Sequence, residues 1–212
     1  QYEYNFRIDT KICQDPYARG LAGREAFGRV SEDKDEHRIR CSFPNLREYN
    51  WEGDVSPGIS YQDMILYKVH VRGYTRQAKV APKKRGTFAG LKEMIPYWKE
   101  LGINAVELMP AYEFMERSTV EPGKAMIRQK HHKDKVNYWG YLPGFYFAPK
   151  SAYCATKKPH KEFCDMVRAF HEAGIECIME MYFPADTAPM KALYALWFWK
   201  KYYHVDGFHL LG

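Results

Sequence analysis

Five cysteines, an adjacent histidine pair and two basic clusters are the residues whose types lend themselves most directly to chemistry in this 212-residue sequence. The cysteines (Cys13, Cys41, Cys154, Cys164 and Cys177) are odd in number and include no Cys-x-x-Cys pair. A disulfide framework and a zinc ribbon are therefore not expected, and a reducing compartment, the cytoplasm, fits best. Cys164 and Cys177 fall at apolar positions of a helical and a strand pattern, where small buried hydrophobes are expected. His131 and His132 would point to different sides of any regular element and have no further ligand at a metal spacing, so no metal is expected. Lys79–Arg85 and Arg128–Lys135 read as solvated charged loops, with binding of nucleic acid or of a phosphorylated polymer as the alternative. Lys plus Arg is 32 against 26 Asp plus Glu, and a net +6 is too weak to name a nucleic-acid partner. There is no Walker loop, GxGxxG or GxSxG, so neither a nucleotide cofactor nor serine hydrolysis is supported, and no cofactor is expected. The run Tyr138-Trp139-Gly140-Tyr141 offers either a stacking surface or a packed loop cluster with Phe145, Tyr146 and Phe147.

The elements that must position these groups alternate. Hydrophobic residues at 46 % and charged residues at 27 % are ordinary globular values. The longest apolar run, Ala192 to Trp199, is far short of a membrane span of about 20 residues. Gln1 enters in mid-pattern without a signal peptide, as in a piece of a longer protein. Tyr2, Tyr4, Phe6 and Ile8 alternate with polar residues, which predicts one half-buried strand; from Gly20 to Ser60 the text is polar and turn-rich, an extended surface connection. Strands are then predicted over Ile65–Val71, Ile103–Met109 and Ile175–Phe183, with a fourth beginning at Tyr203–Phe208. Helices are predicted over Phe88–Leu101 (kinked or restarted at Pro96), 159–173 and Pro189–Tyr203, the last apolar almost all round and so heavily buried. Residues 111–157 read as a long loop region. Leu101-Gly102-Ile103 and Ala173-Gly174-Ile175 are one helix-stop, strand-start device used twice. The order β-α-β-α-β-α-β gives a parallel sheet with right-handed crossovers. Four strands do not close a (β/α)8 barrel, so the chain is either an open α/β sheet or half of such a barrel.

Eight segments, in order along nearly the whole chain, resemble glycoside hydrolase family 13, the α-amylase superfamily. They are Asp15-Pro16-Tyr17-Ala18, Asn50-Trp51-Glu52-Gly53-Asp54, Leu66 to Thr75, Gly86-Thr87-Phe88-Ala89-Gly90-Leu91, Leu101 to Pro110, Asn137 to Tyr141, Phe147 to Ser151 and His204 to Phe208. Within that family the likeness is to the debranching branch: type I pullulanase, isoamylase and bacterial glycogen debranching enzyme. The resemblance implies a partial (β/α)8 TIM barrel of about four βα units, preceded by a long irregular linker. Residues 1–15 would be the tail of an N-terminal starch-binding β-sandwich, 16–61 the linker and 62–212 the first half of the catalytic barrel. It implies hydrolysis of α-1,6 branch linkages in glycogen, amylopectin or pullulan, with an α-glucan or maltooligosaccharide as partner and no nucleic acid or membrane. The mouth would lie at the C-terminal strand ends.

At that mouth the sequence departs from the family. Retaining glycosidases need a nucleophilic carboxylate and a general acid about 5–5.5 Å apart. In the Val-Asp-Gly-Phe-Arg-Phe-Asp pattern of strand four, His209 takes the Arg position and Leu211 the nucleophile position. On strand three Pro184 and Ala185 replace the Asn and the sugar-contacting His, and Glu180 takes the Asp position. The general acid and the second essential Asp would lie beyond Gly212. Glu180 is the one weak catalytic candidate, against a plainer reading as a strand carboxylate bonded to neighbouring backbone. Glu107 reads as a packing or supporting carboxylate and Asp206 as structural. The sugar-binding candidates are Tyr141, which by resemblance stacks under the sugar at the cleaved end, with Tyr138, Trp139 (expected mainly to pack) and His209. The expectation is a chain that does not turn over substrate. The alternatives are a glucan-binding pseudo-enzyme and an α/β interaction domain completed by another chain or by self-association through its open half-barrel.

Overall fold

The computed structural model of the chain describes residues 2–28, 38–117 and 136–212. The second basic cluster, with His131 and His132, lies outside them. The N-terminal residues form small antiparallel pieces. Strands β1 (Glu3–Tyr4), β4 (Gly20–Ala22) and β5 (Arg40–Ser42) make a three-stranded sheet in the order β1-β5-β4, and β2 (Phe6–Ile8) pairs with β3 (Lys11–Cys13) as a hairpin. The single half-buried strand expected over Tyr2–Ile8 is thus two short ones, with Phe6 and Ile8 exposed. Nor is 16–61 simply an extended connection, because Ala18, Leu21 and Cys41 form a small core with Phe145 and Ala148 of the barrel part. A buried charge cluster fastens this segment. Lys150 Nζ donates to Phe114 O at 2.8 Å and contacts Glu113 and Glu116 at 3.0 and 2.8 Å, while Arg24 pairs with Glu116.

The main sheet is parallel, in the order β11-β10-β7-β6: β6 (Leu66–Val69), β7 (Ala105–Leu108), β10 (Glu176–Tyr182) and β11 (Gly207–Leu211). Its crossovers are α2 (Phe88–Lys92) with α3 (Ile95–Glu100), then α4 (Pro159–Glu172), then α5 (Pro189–Tyr203). Four parallel strands joined by three helical crossovers are the arrangement expected of a partial barrel. The helix expected over Phe88–Leu101 does restart at Pro96, which sits in the first turn of α3 where its missing N–H is harmless. The first strand stops at Val69, and Val71–Tyr74 is instead the short helix α1, capped by His70 accepting from Gly73 N. β11 begins later than expected because His204 adopts a left-handed conformation, φ 53°, as the C-cap of α5. The region 111–157 is not all loop, since β8 (Tyr112–Phe114) and β9 (Gly144–Pro149) pair antiparallel.

One face of the sheet is packed by helices. Val69, Val106, Leu108, Cys177, Met179 and Met181 are buried there together with Trp98, Phe163, Met166, Val167 and Phe170. The stripe read from the α4 sequence is the face it buries. Helix α5 departs from expectation. Ala195, Phe198, Trp199 and Tyr203 are buried, but Met190, Leu193, Tyr194 and Trp197 are exposed at i, i+3, i+4 and i+7, an apolar stripe on the outside. No helix among the described residues is long and apolar enough to cross a membrane.

Candidate active site

Strand side chains alternate between faces, and paired residues of a parallel ladder share one. The register Lys68↔Glu107, Glu107↔Ile178, Glu180↔His209 and Tyr182↔Leu211 therefore puts Lys68, Glu107, Glu180, His209 and Leu211 on the face away from the helices, the inner face of a barrel. Leu211 ends β11 beside Tyr182, the last residue of β10, and so stands at the mouth. Glu180 and His209 lie two residues deeper.

These inner-face groups meet in one cluster. Lys68 Nζ donates to Glu180 Oε1 and lies 3.6 Å from Glu107 Oε1. His209 Nδ1 is 3.0 Å from Glu107 Oε1 and 3.6 Å from Glu180 Oε1. The remaining Glu180 oxygen accepts from the Tyr141 hydroxyl at 2.8 Å. Glu180 is fully buried, whereas the Lys68 and His209 side chains are 44 % and 49 % exposed. Burial, with Glu107 beside it, holds Glu180 above the usual carboxylate range against the lowering pull of Lys68 and Tyr141. Burial raises Glu107, but the contacts to His209 and Glu180 and the Lys68 charge together outweigh it and keep that carboxyl low. Burial pulls Lys68 down, but the hydrogen bond and charge of Glu180, with Tyr141, together exceed it and raise the ammonium. Tyr141 is raised by burial and by donating to Glu180. Glu107, Glu180 and His209 each offer a ligand atom, all within 4.8 Å of one another, the spacing of a metal trio. The Lys68 ammonium already supplies positive charge there, so the trio reads as an ion-pair cluster.

Glu180 thus bonds to side chains rather than to neighbouring backbone. Lys68, at its centre, was missed in the sequence because nothing local distinguishes a lysine whose partner lies 112 residues away. Tyr138 stacks on His70, ring centroids 4.3 Å apart, and its carbonyl oxygen lies 2.7 Å from His70 Nε2. Since His70 Nδ1 accepts from Gly73 N, Nε2 carries the proton and donates. Trp139, expected mainly to pack, is half exposed and meets Tyr138 edge-on. Gly140, at φ 85°, turns the chain so closely over Phe114 that a Cβ would come within 2.5 Å of its ring; this delivers Tyr141 to Glu180.

Asp206 stands at the other end of β11, away from the mouth. It accepts from Cys177 N at 2.8 Å, from Ser56 Oγ and from His171 Nε2 at 2.9 Å. Its role there is structural, in a latch that also takes in Asp54 and His204.

A parallel half-sheet packed by helices on one face, with its charged side chains on the other, is the architecture of a partial (β/α)8 barrel. The comparisons carry this further. The chain is 33 % identical over 187 residues to the chloroplastic isoamylase 1 of Arabidopsis thaliana, covering 84 % of the chain and 23 % of the relative. It is 34 % identical over 201 residues to the GlgX glycogen operon protein homologue of Haemophilus influenzae, covering 85 % of the chain and 29 % of the relative. Among solved structures, the pneumococcal glycogen-degrading virulence factor SpuA superposes with TM-score 0.72 at 21 % identity, covering 99 % of this chain and 26 % of that one. The Paenibacillus barengoltzii pullulanase, complexed with maltohexaose and α-cyclodextrin, superposes with TM-score 0.69 at 20 % identity, covering 99 % and 38 %. No family model matches the chain. The chain belongs to the debranching branch of glycoside hydrolase family 13, the α-amylase superfamily. It spans between 23 % and 29 % of the length of the two curated relatives just described.

Proposed function

We propose that this chain is the first half of the barrel of an α-glucan debranching-type protein, and that its mouth binds α-glucan on Tyr141 without cleaving it. Two curated relatives are named isoamylase 1 and glycogen debranching enzyme, and the pullulanase neighbour holds maltohexaose. The observation that carries the silent-cleft reading is Leu211. An isobutyl group stands at the strand end where the family's nucleophile would be, and it forms no glycosyl ester. The inner-face carboxylates do not replace it. Glu180 is divided between Lys68 and Tyr141, and Glu107 is engaged by His209. Glu180 is also fully buried and pairs with His209, two residues deeper in the sheet than Leu211 at the strand end.

The test uses pullulan and amylopectin. The chain is expected to release no reducing sugar while binding maltohexaose, and Tyr141→Ala is expected to lose that binding. Reducing sugar released by the chain and abolished by Glu180→Gln would overturn the reading. A second reading, self-association through the open half-barrel, draws on the two sheet edges. Among the described residues β6 pairs only with β7 and β11 only with β10, and Leu66 and Leu210 on these strands are exposed. A monomer in light scattering at high concentration would exclude it.

A further inference from the structure

We propose that Lys68 is the positioning residue of the sugar platform: its ammonium holds the buried Glu180 carboxylate in place, and Glu180 holds the Tyr141 ring across the mouth. This rests on the reading of Tyr141 as the stacking surface. The chain of contacts runs through three separate elements. Lys68 leaves the inner face of β6, reaches over β7 past Glu107, and bonds Glu180 Oε1 on β10. The other oxygen of the same carboxylate receives the phenol of Tyr141, which comes from the segment leading into β9. A fully buried carboxylate needs a compensating charge to stay ionised, and a second carboxylate, Glu107, crowds it. The groups facing the pair from the neighbouring strands are the Lys68 ammonium from β6 and the His209 imidazole from β11. Of these Lys68 makes the direct bond to Glu180, whereas His209 is nearer Glu107.

Without Lys68, Glu180 would take up a proton more readily, share it with Glu107, and turn from Tyr141. The aromatic ring would then lose its fixed plane, and a stacked sugar would pay for reordering it. The experiment measures maltohexaose affinity by calorimetry for the full chain and four variants, from about pH 6 to about pH 8. Lys68→Met is expected to bind roughly tenfold more weakly. Its affinity is expected to fall toward the acid end of that range more steeply than that of the original chain. Lys68→Arg keeps the cation and is expected to restore both affinity and the original profile. Tyr141→Phe, which keeps the ring and loses the hydroxyl, is expected to weaken binding several-fold and serves if Lys68→Met does not fold. Wild-type affinity in Lys68→Met, or in Tyr141→Phe, would overturn the positioning role. So would a loss in Lys68→Met that is independent of pH and not rescued by arginine. Undiminished binding by Tyr141→Ala is a different failure: it would sink the sugar platform itself.

Discussion

Asp54→Asn should loosen the strap that crosses the foot of the sheet, and the structure sets the size of the effect. His171 has a carboxylate oxygen 2.9 Å from each ring nitrogen, Asp54 Oδ1 at Nδ1 and Asp206 Oδ2 at Nε2. Asp54 also engages His204 Nδ1 at 2.6 Å, and Trp51 stacks on the His204 ring at 3.9 Å. A neutral imidazole would leave one nitrogen lone pair facing a carboxylate, so the geometry requires the imidazolium. Burial works against that charge, but Asp206 and then Asp54 outweigh it and hold His171 above its ordinary pKa. Removing one partner from a buried ion pair costs about 3–5 kcal/mol when the other charge is left alone. Here Asp206 remains, so about 2–3 kcal/mol is expected for Asp54→Asn. At roughly 2–4 °C per kcal/mol for a chain of this size, Tm should fall by about 5–10 °C. The pH dependence follows from the signs. The raised His171 contributes stability fully present below its unfolded pKa of about 6.5 and lost as pH rises through the folded value. Asp206 is depressed despite its burial, chiefly by His171 and Ser56, so its contribution is present above about pH 3.8 and lost as pH falls through its folded value. The native chain should therefore show a stability plateau between the two limbs. In Asp54→Asn the alkaline limb should begin at lower pH, and the acid limb should survive. Thermal unfolding of the full chain across this range is the assay. An unchanged Tm with an unchanged alkaline limb would refute the reasoning.

The thiols should react in a fixed order with a disulfide reagent near pH 8: Cys13 first, Cys154 slowly, and the other three only on unfolding. Cys41, Cys164 and Cys177 are buried; desolvation pushes Cys41 up to about 11, and burial with the Glu162 contact pushes Cys154 up to about 12. One half of α5 is core and the other is not. Phe198→Ala should cost about 3–5 kcal/mol in chemical denaturation, whereas Trp197→Ser, on the exposed stripe, should stay within about 0.5 kcal/mol.

The parallel β-α-β-α-β-α-β order and the restart at Pro96 were readable along the chain. So were the paired glycine stops, since Gly102 and Gly174 both take φ near +75° at 75° and 73°. Each of these depends on residues within a turn or two of one another, and so leaves a local mark. The departures at Leu211 and His209 were equally legible, because a motif in register is also local. What the tertiary structure decided is of another kind. Neither Lys68 nor Glu180 carries a neighbouring signal for the other, and only the β6–β7–β10 register brings them together. The Asp54–His171–Asp206 latch likewise joins a polar segment, a helix end and a strand start. The burial expected for α5 went wrong because apolar composition does not say which side of a helix will meet a neighbour. Hydrophobic period and turn chemistry act along the chain, whereas ion pairing and burial act through space, and the space exists only once the sheet has formed.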